Sequence, residues 1–168
     1  MDQLFFHPKV VHLPMALAVL MPLVSAGLLA AWWAGVLPRR AWLVAVALQL
    51  VLVGSGVVAL RSGEHEEERV ERVVDEKLIE THEESAEAFV WGAGAILVLQ
   101  LAAAALRREA TARAMAAAAV AGTLLVLFLG YRTGEAGGRL VYEHGAAAVY
   151  TSGRSAGEAL GGAAHDED

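Results

Sequence analysis

Residues 10–36, VVHLPMALAVLMPLVSAGLLAAWWAGV, carry no Asp, Glu, Lys or Arg. A helix rises ~1.5 Å per residue and a bilayer's hydrocarbon core is ~30 Å thick, so about 20 such residues cross it. Apolar side chains fall on every face of this run, which is the pattern of a helix with no side turned to water. Three more uncharged runs follow: Ala41–Leu60, Ala88–Leu106 and Ala114–Tyr131. The fourth, opening Met115-Ala116-Ala117-Ala118-Ala119, is the least apolar. A soluble four-helix bundle would need a polar face on each helix, and these runs have none. The expected fold is all-α, a four-helix transmembrane bundle with spans at 10–36, 41–61, 86–106 and 114–132. Residues 1–150 form that domain and 151–168 a flexible acidic tail. The first run is about twice the 7–15 residues of a signal-peptide core, so it is read as a span rather than a cleaved leader.

Composition supports the bilayer as the first partner. Hydrophobic residues make up 57% of the 168-residue chain and charged residues 19%, the latter below the ~25% of soluble domains. There is no cysteine, which excludes disulfides, thiolate-held iron–sulfur clusters and covalently attached c-type haem. Any metal or haem iron must be held by histidine, carboxylate or methionine. A net charge of −6, with no basic stripe to follow phosphates, argues against nucleic acid.

The arginines set the expected orientation. Arg39 and Arg40 lie between spans one and two, and Arg107, Arg108 and Arg113 between spans three and four. Their density in short loops places that side in the cytoplasm, with both termini and the acidic loop outside. In that loop Val70, Val73, Val74, Leu78 and Ile79 recur at helical spacing, which predicts an extracytoplasmic amphipathic helix over 64–85 running into span three, with His82 on its inner face. After span four, Gly134, Gly137 and Gly138 predict a turn, and Leu140-Val141-Tyr142 an interfacial segment.

All six histidines, His7, His12, His65, His82, His144 and His165, fall on the outer side. His7 and His12 open span one, His82 opens span three, and His144 follows span four. Ionisable groups at membrane depth are costly, and those present usually face a cavity, a partner or a cofactor. Imidazole suits zinc, copper and haem iron. A lone interfacial histidine is more economically explained by a hydrogen bond to a carbonyl or carboxylate; four at one depth favour a cofactor. His7 and His12 stand about 140° apart on a regular helix, which favours two sites, or one ligand and one supporting histidine. Pro8 suits a helix start, and Pro14 is expected to bend or interrupt the helix. Gly54-Ser55-Gly56 and Gly92-Ala93-Gly94-Ala95 leave room for a flat macrocycle or, more commonly, for close helix packing.

Three motifs resemble a known family. His7-Pro8-Lys9-Val10-Val11-His12-Leu13-Pro14 is similar to the HPxxVHFP opening of the bacterial membrane family catalogued as domain of unknown function 2231, with Leu13 in place of the usual phenylalanine. His82-Glu83-Glu84-Ser85-Ala86 continues the likeness loosely. Gly137-Gly138-Arg139-Leu140-Val141-Tyr142-Glu143-His144-Gly145 resembles its GGxLVYxHG ending. The resemblance implies a four-span bundle in the bacterial inner membrane, with His7, His12, His82 and His144 as the matching histidines; His65 and His165 match nothing in the family. Such domains accompany Rieske or c-type cytochrome modules, which suggests electron transfer by association.

These readings converge on a small membrane cytochrome that carries electrons rather than turning over a substrate. One or two b haems would lie between the helices near the outer face, ligated by pairs drawn from His7, His12, His82 and His144. Arg139 and Tyr142 would meet the propionates. The rivals are a zinc or copper site on the same histidines with Glu83 or Glu143 added, and an accessory subunit whose acidic outer surface docks a redox partner. A zinc hydrolase would favour a His-x-x-x-His pair, and the sequence has none.

Overall fold

The computed structural model describes residues 10–71 and 74–144, with backbone alone over 64–70. Four helices, each long and apolar enough to cross a bilayer, account for nearly all of it: α1 His12–Trp33, α2 Leu43–Val70, α3 Glu76–Ala105 and α4 Glu109–Tyr142. Each packs on its neighbour in sequence, and α4 closes the ring against α1. Short connections force this up-down-up-down order, because a turn of a few residues can join only antiparallel neighbours. The expectations for His7, His165 and the 151–168 tail concern residues outside the described ones, as does that for the side chain of His65.

Many large apolar side chains face outward, and alanine fills much of the interior. Leu23, Trp91, Val98 and Tyr131 are each more than 60% exposed, while Ala45, Ala93, Ala103, Ala112, Ala116 and Ala119 are fully buried. In water this would forfeit the hydrophobic drive to fold; in lipid it loses nothing, and small residues let the backbones approach closely. Gly92, Gly122 and Gly130 do this along the α3–α4 seam. A Cβ at these positions would come within 3.0 Å of a Leu129 methyl, 2.1 Å of an Ile96 methyl and 3.2 Å of the Phe89 ring, respectively.

Helix ends follow local chemistry. Helix α1 stops at Trp33, before the expected end of its span, in a Schellman motif: Gly35 takes φ +70°, its N–H donates to the Trp32 carbonyl at 3.1 Å, and Val36 N–H donates to Ala31 at 2.9 Å. A 3-10 turn over Arg39–Trp42 leads into α2. The Asp75 carboxylate accepts from Lys77 N–H at 2.9 Å and starts α3.

Three expectations are corrected. Pro14 does not interrupt α1; it sits buried in the first turn, where a missing N–H costs nothing. The 64–85 stretch is not one separate helix. Its first part continues α2 to Val70, and the Asp75 cap then begins α3, which carries His82 into span three without a break. The glycines at 134–138 do not turn: α4 runs through them for 34 residues, to Tyr142, about 51 Å at ~1.5 Å per residue. Gly35 is the only described glycine with positive φ. Packing explains this last difference, because Gly134 and Gly137 accept side chains of other helices at points where a Cβ would collide.

Candidate functional site

At the end of the bundle opposite the arginine loops, the four helices part around His82. The imidazole rests on α4, with its Cε1 3.0 Å from where a Cβ on Gly137 would stand, and its Nδ1 is shut off from solvent. One turn earlier on α4, Gly134 accepts the Met15 methyl of α1 in the same way, at 2.9 Å. Residues three apart on a helix are neighbours, ~5–6 Å between Cβ positions, so the imidazole and the thioether occupy adjacent notches on one face of α4. Beside these groups opens a small cleft of about 60 Å³, continuous with the exterior. Val11, Pro14 and Met15 form its α1 wall, Gly56, Ala59 and Leu60 its α2 wall, and His82, Ala86, Phe89 and Val90 its α3 wall. Thr133 contributes from α4; its hydroxyl donates to the Ser85 carbonyl at 2.9 Å and tethers α4 to α3 beside the histidine.

Above the cleft, Val74, Ile79 and Leu140 form a small apolar cluster with Leu78 packed against it. It joins the start of α3 to the last turns of α4.

The remaining candidate residues are arranged differently. His12 is exposed: Val11, Pro14 and Met15 take the inward face of α1, and His12 lies ~100° from Val11 around the axis. His144 follows the end of α4 and is exposed. Arg139 pairs with Glu135 at 3.5 Å on the outside of α4, and Tyr142 is 89% exposed. Neither lines the cleft. Among the described residues no three His, Asp or Glu side chains converge as a metal site would require.

Met15 was not singled out by the sequence reasoning. Its signal was present in the inward stripe Pro14, Leu17, Ala18, Met21 of α1, which places residue 15 at the stripe's edge, one turn from His12. No family model, curated protein or solved structure matches the chain, so the three motifs alone carry the resemblance described above.

Proposed function

We propose that this chain is a haem-binding electron-transfer protein of b type in the bacterial inner membrane, with the cleft, the termini and the acidic turns on the outer side. The observation that carries this reading is the pair of donors in one cleft: the His82 imidazole from α3 and the Met15 thioether from α1, between walls narrowed by Gly56, Ala59 and Ala86. Imidazole with thioether is an established axial set for haem iron, and small residues suit the faces of a flat ring. These two donors are what supports the reading; the small cleft would have to widen to admit a porphyrin. Bound there, haem would supply one-electron chemistry. The protein's part is to orient His82 through Gly137, to exclude water with Phe89 and Val90, and to hold α4 against α3 through Thr133. His12 and His144 stand at the same end of the bundle, and His7, His12 and His144 are the candidate donors for any second haem in this reading. Glu76, Glu80 and Glu84, exposed on the outer turns of α3, would meet a basic redox partner such as a cytochrome or Rieske-type protein.

The same thioether supports a second reading. Soft sulfur ligands select Cu(I), and Met15 with His82 would suit that ion better than zinc.

The deciding experiment is a reduced-minus-oxidised visible spectrum of protein purified in detergent from cells with ample haem, with a pyridine haemochrome assay on the same sample. A sharp α-band with the b-haem signature, lost in His82→Ala and shifted in position or potential in Met15→Leu, is the expected result. A colourless protein sinks the haem reading, and copper analysis of that sample then tests the second.

A further inference from the structure

We propose that Gln49 of α2 and Gln100 of α3 share a buried water site in the middle of the membrane-crossing part of the bundle. Both side chains are 0% exposed. Gln49 Nε2 donates to the Ala93 carbonyl at 2.8 Å, but Gln49 Oε1 and both amide atoms of Gln100 meet no hydrogen-bonding group of the protein. Hydrocarbon offers no compensation, and buried polar atoms in folded proteins are almost always satisfied by protein or by water.

Helix register and side-chain direction bring the two amides toward one level. Ala93, Ile96, Gln100 and Ala103 form the buried stripe of α3. Gln49 is held at the Ala93 carbonyl, which points along the helix toward Ile96. Gln100 lies two turns on, and helical side chains lean toward their own N-terminus, so its amide is directed back to the same level. The register sets two hydroxyls near this level. Ile96 packs on Gly122, beside the buried Thr123. Across the α1–α4 seam Met15 meets Gly134 and Ala18 meets Gly130, an antiparallel register that brings the buried Ser25 to Thr123. Ser25 Oγ donates to Met21 O at 2.6 Å and Thr123 Oγ1 to Val120 O at 2.6 Å, which leaves each oxygen able to accept.

The chemistry of this set selects the guest. A bare cation wants acceptors alone, and the Gln100 NH₂ would face it as a donor. Water both donates and accepts, and a buried water typically makes about three hydrogen bonds. Apolar plugs isolate the site at both ends: Met21, Leu52, Phe89 and Val126 lie between it and the His82 cleft, and Leu29 and Trp42 lie on the arginine side, all of them buried. The site is thus separate from the cleft and is no channel.

Two measurements on the full chain test this together. A lipidic-phase crystal structure at a resolution that shows ordered water is expected to place density at hydrogen-bond distance, ~2.7–3.2 Å, from Gln49 Oε1 and Gln100 Nε2. In a double-mutant cycle, Gln49→Leu and Gln100→Leu each lower the thermal midpoint, and the double variant recovers most of the loss because the guest and both its amide partners leave together. Midpoint shifts that simply add, or density showing the two amides bonded directly with nothing between them, would overturn the proposal. If the leucine variants do not fold, the crystal structure of the unaltered chain decides alone.

Discussion

At the arginine end, one side chain does much of the joining. Arg39 Nη2 donates to the carbonyls of Ala103 at 2.8 Å, Ala104 at 3.0 Å and also Leu106, the groups that the end of α3 leaves without a helical partner. The Arg39 guanidinium stands 5.8 Å from the Trp32 ring centre, and that of Arg113 stands 5.7 Å away. Trp32 Nε1 donates to Glu109 at 2.8 Å, and Trp42 Nε1 donates to the Gln100 carbonyl at 3.1 Å. At the cleft end glycine notches, the Thr133 bond and a small apolar cluster help to join the helices. Directional polar contacts fix the first end; close fit at glycines contributes at the second. The arginine end, so joined, is the base of the bundle.

Removing the base should have the largest effect. Arg39→Ala strands the carbonyls that close α3. Hydrogen bonds to charged groups contribute ~1.5–3 kcal/mol each. Arg39 is 28% exposed, so water replaces part of them, and the 3.9 Å pair with Glu109, itself 49% exposed, adds little. A net loss of about 3 kcal/mol is expected, read as a lower thermal midpoint in detergent. Arg39→Lys should recover less than half of it, since a single ammonium cannot span several carbonyls as a planar fork does. A midpoint unchanged in Arg39→Ala would mean that the two ends do not differ as described.

The corresponding change at the cleft end is Gly137→Leu. The new side chain would occupy the space of the His82 ring, and overpacking of this kind costs ~1–3 kcal/mol. We expect about 2 kcal/mol and, under the haem proposal, loss of the visible spectrum. Arg39→Ala should leave the spectrum of the surviving folded protein intact. Equal spectral loss in both variants would break the separation of base from cleft.

The neighbouring glycines sharpen the point. A Cβ on Gly138 meets nothing within 4 Å, so Gly138→Ala gains only helix propensity and should stabilise by about 1 kcal/mol. Gly137→Ala gains the same propensity but must push the imidazole aside by a few tenths of an ångström, so it should fall below Gly138→Ala by up to about 1 kcal/mol. Matching midpoints would show that His82 does not depend on the notch.

These contrasts also mark what the sequence could convey. The spans were legible because an uncharged run crosses lipid whatever it packs against. The inward position of His82 was legible too, because α3 carries its periodicity unbroken from Leu78 through Phe89. Gly137 and Gly138 were misread as a turn because propensity favours that reading, and only the partner helix reveals the notch. His12 illustrates the same limit. Its place at the mouth of a span follows from the sequence, but which way it faces depends on the rotation of α1, set by Pro14, Leu17 and Met21 packing inward. Gln49 and Gln100 lay unremarked inside apolar runs, since no local pattern tells a buried amide from a lipid-facing one.

The smallest effect tests the tether beside the site. Thr133 Oγ1 donates across to Ser85 O at 2.9 Å and also lies 3.0 Å from the Leu129 carbonyl of its own helix. Thr133→Val keeps the shape and removes the hydroxyl. In water such a bond contributes ~1 kcal/mol, but between helices in a membrane the average is nearer ~0.6 kcal/mol, because the unfolded chain in lipid also finds partners. In this variant the Leu129 carbonyl keeps its helical N–H, so only the link to Ser85 is truly lost. The stability change should therefore be about 0.6 kcal/mol, close to the limit of a thermal midpoint. Amide hydrogen exchange is the sharper measurement: the last turns of α4, around Leu140, should exchange faster while the Arg39 end does not change. Faster exchange at both ends would mean that α4 transmits strain along its whole length.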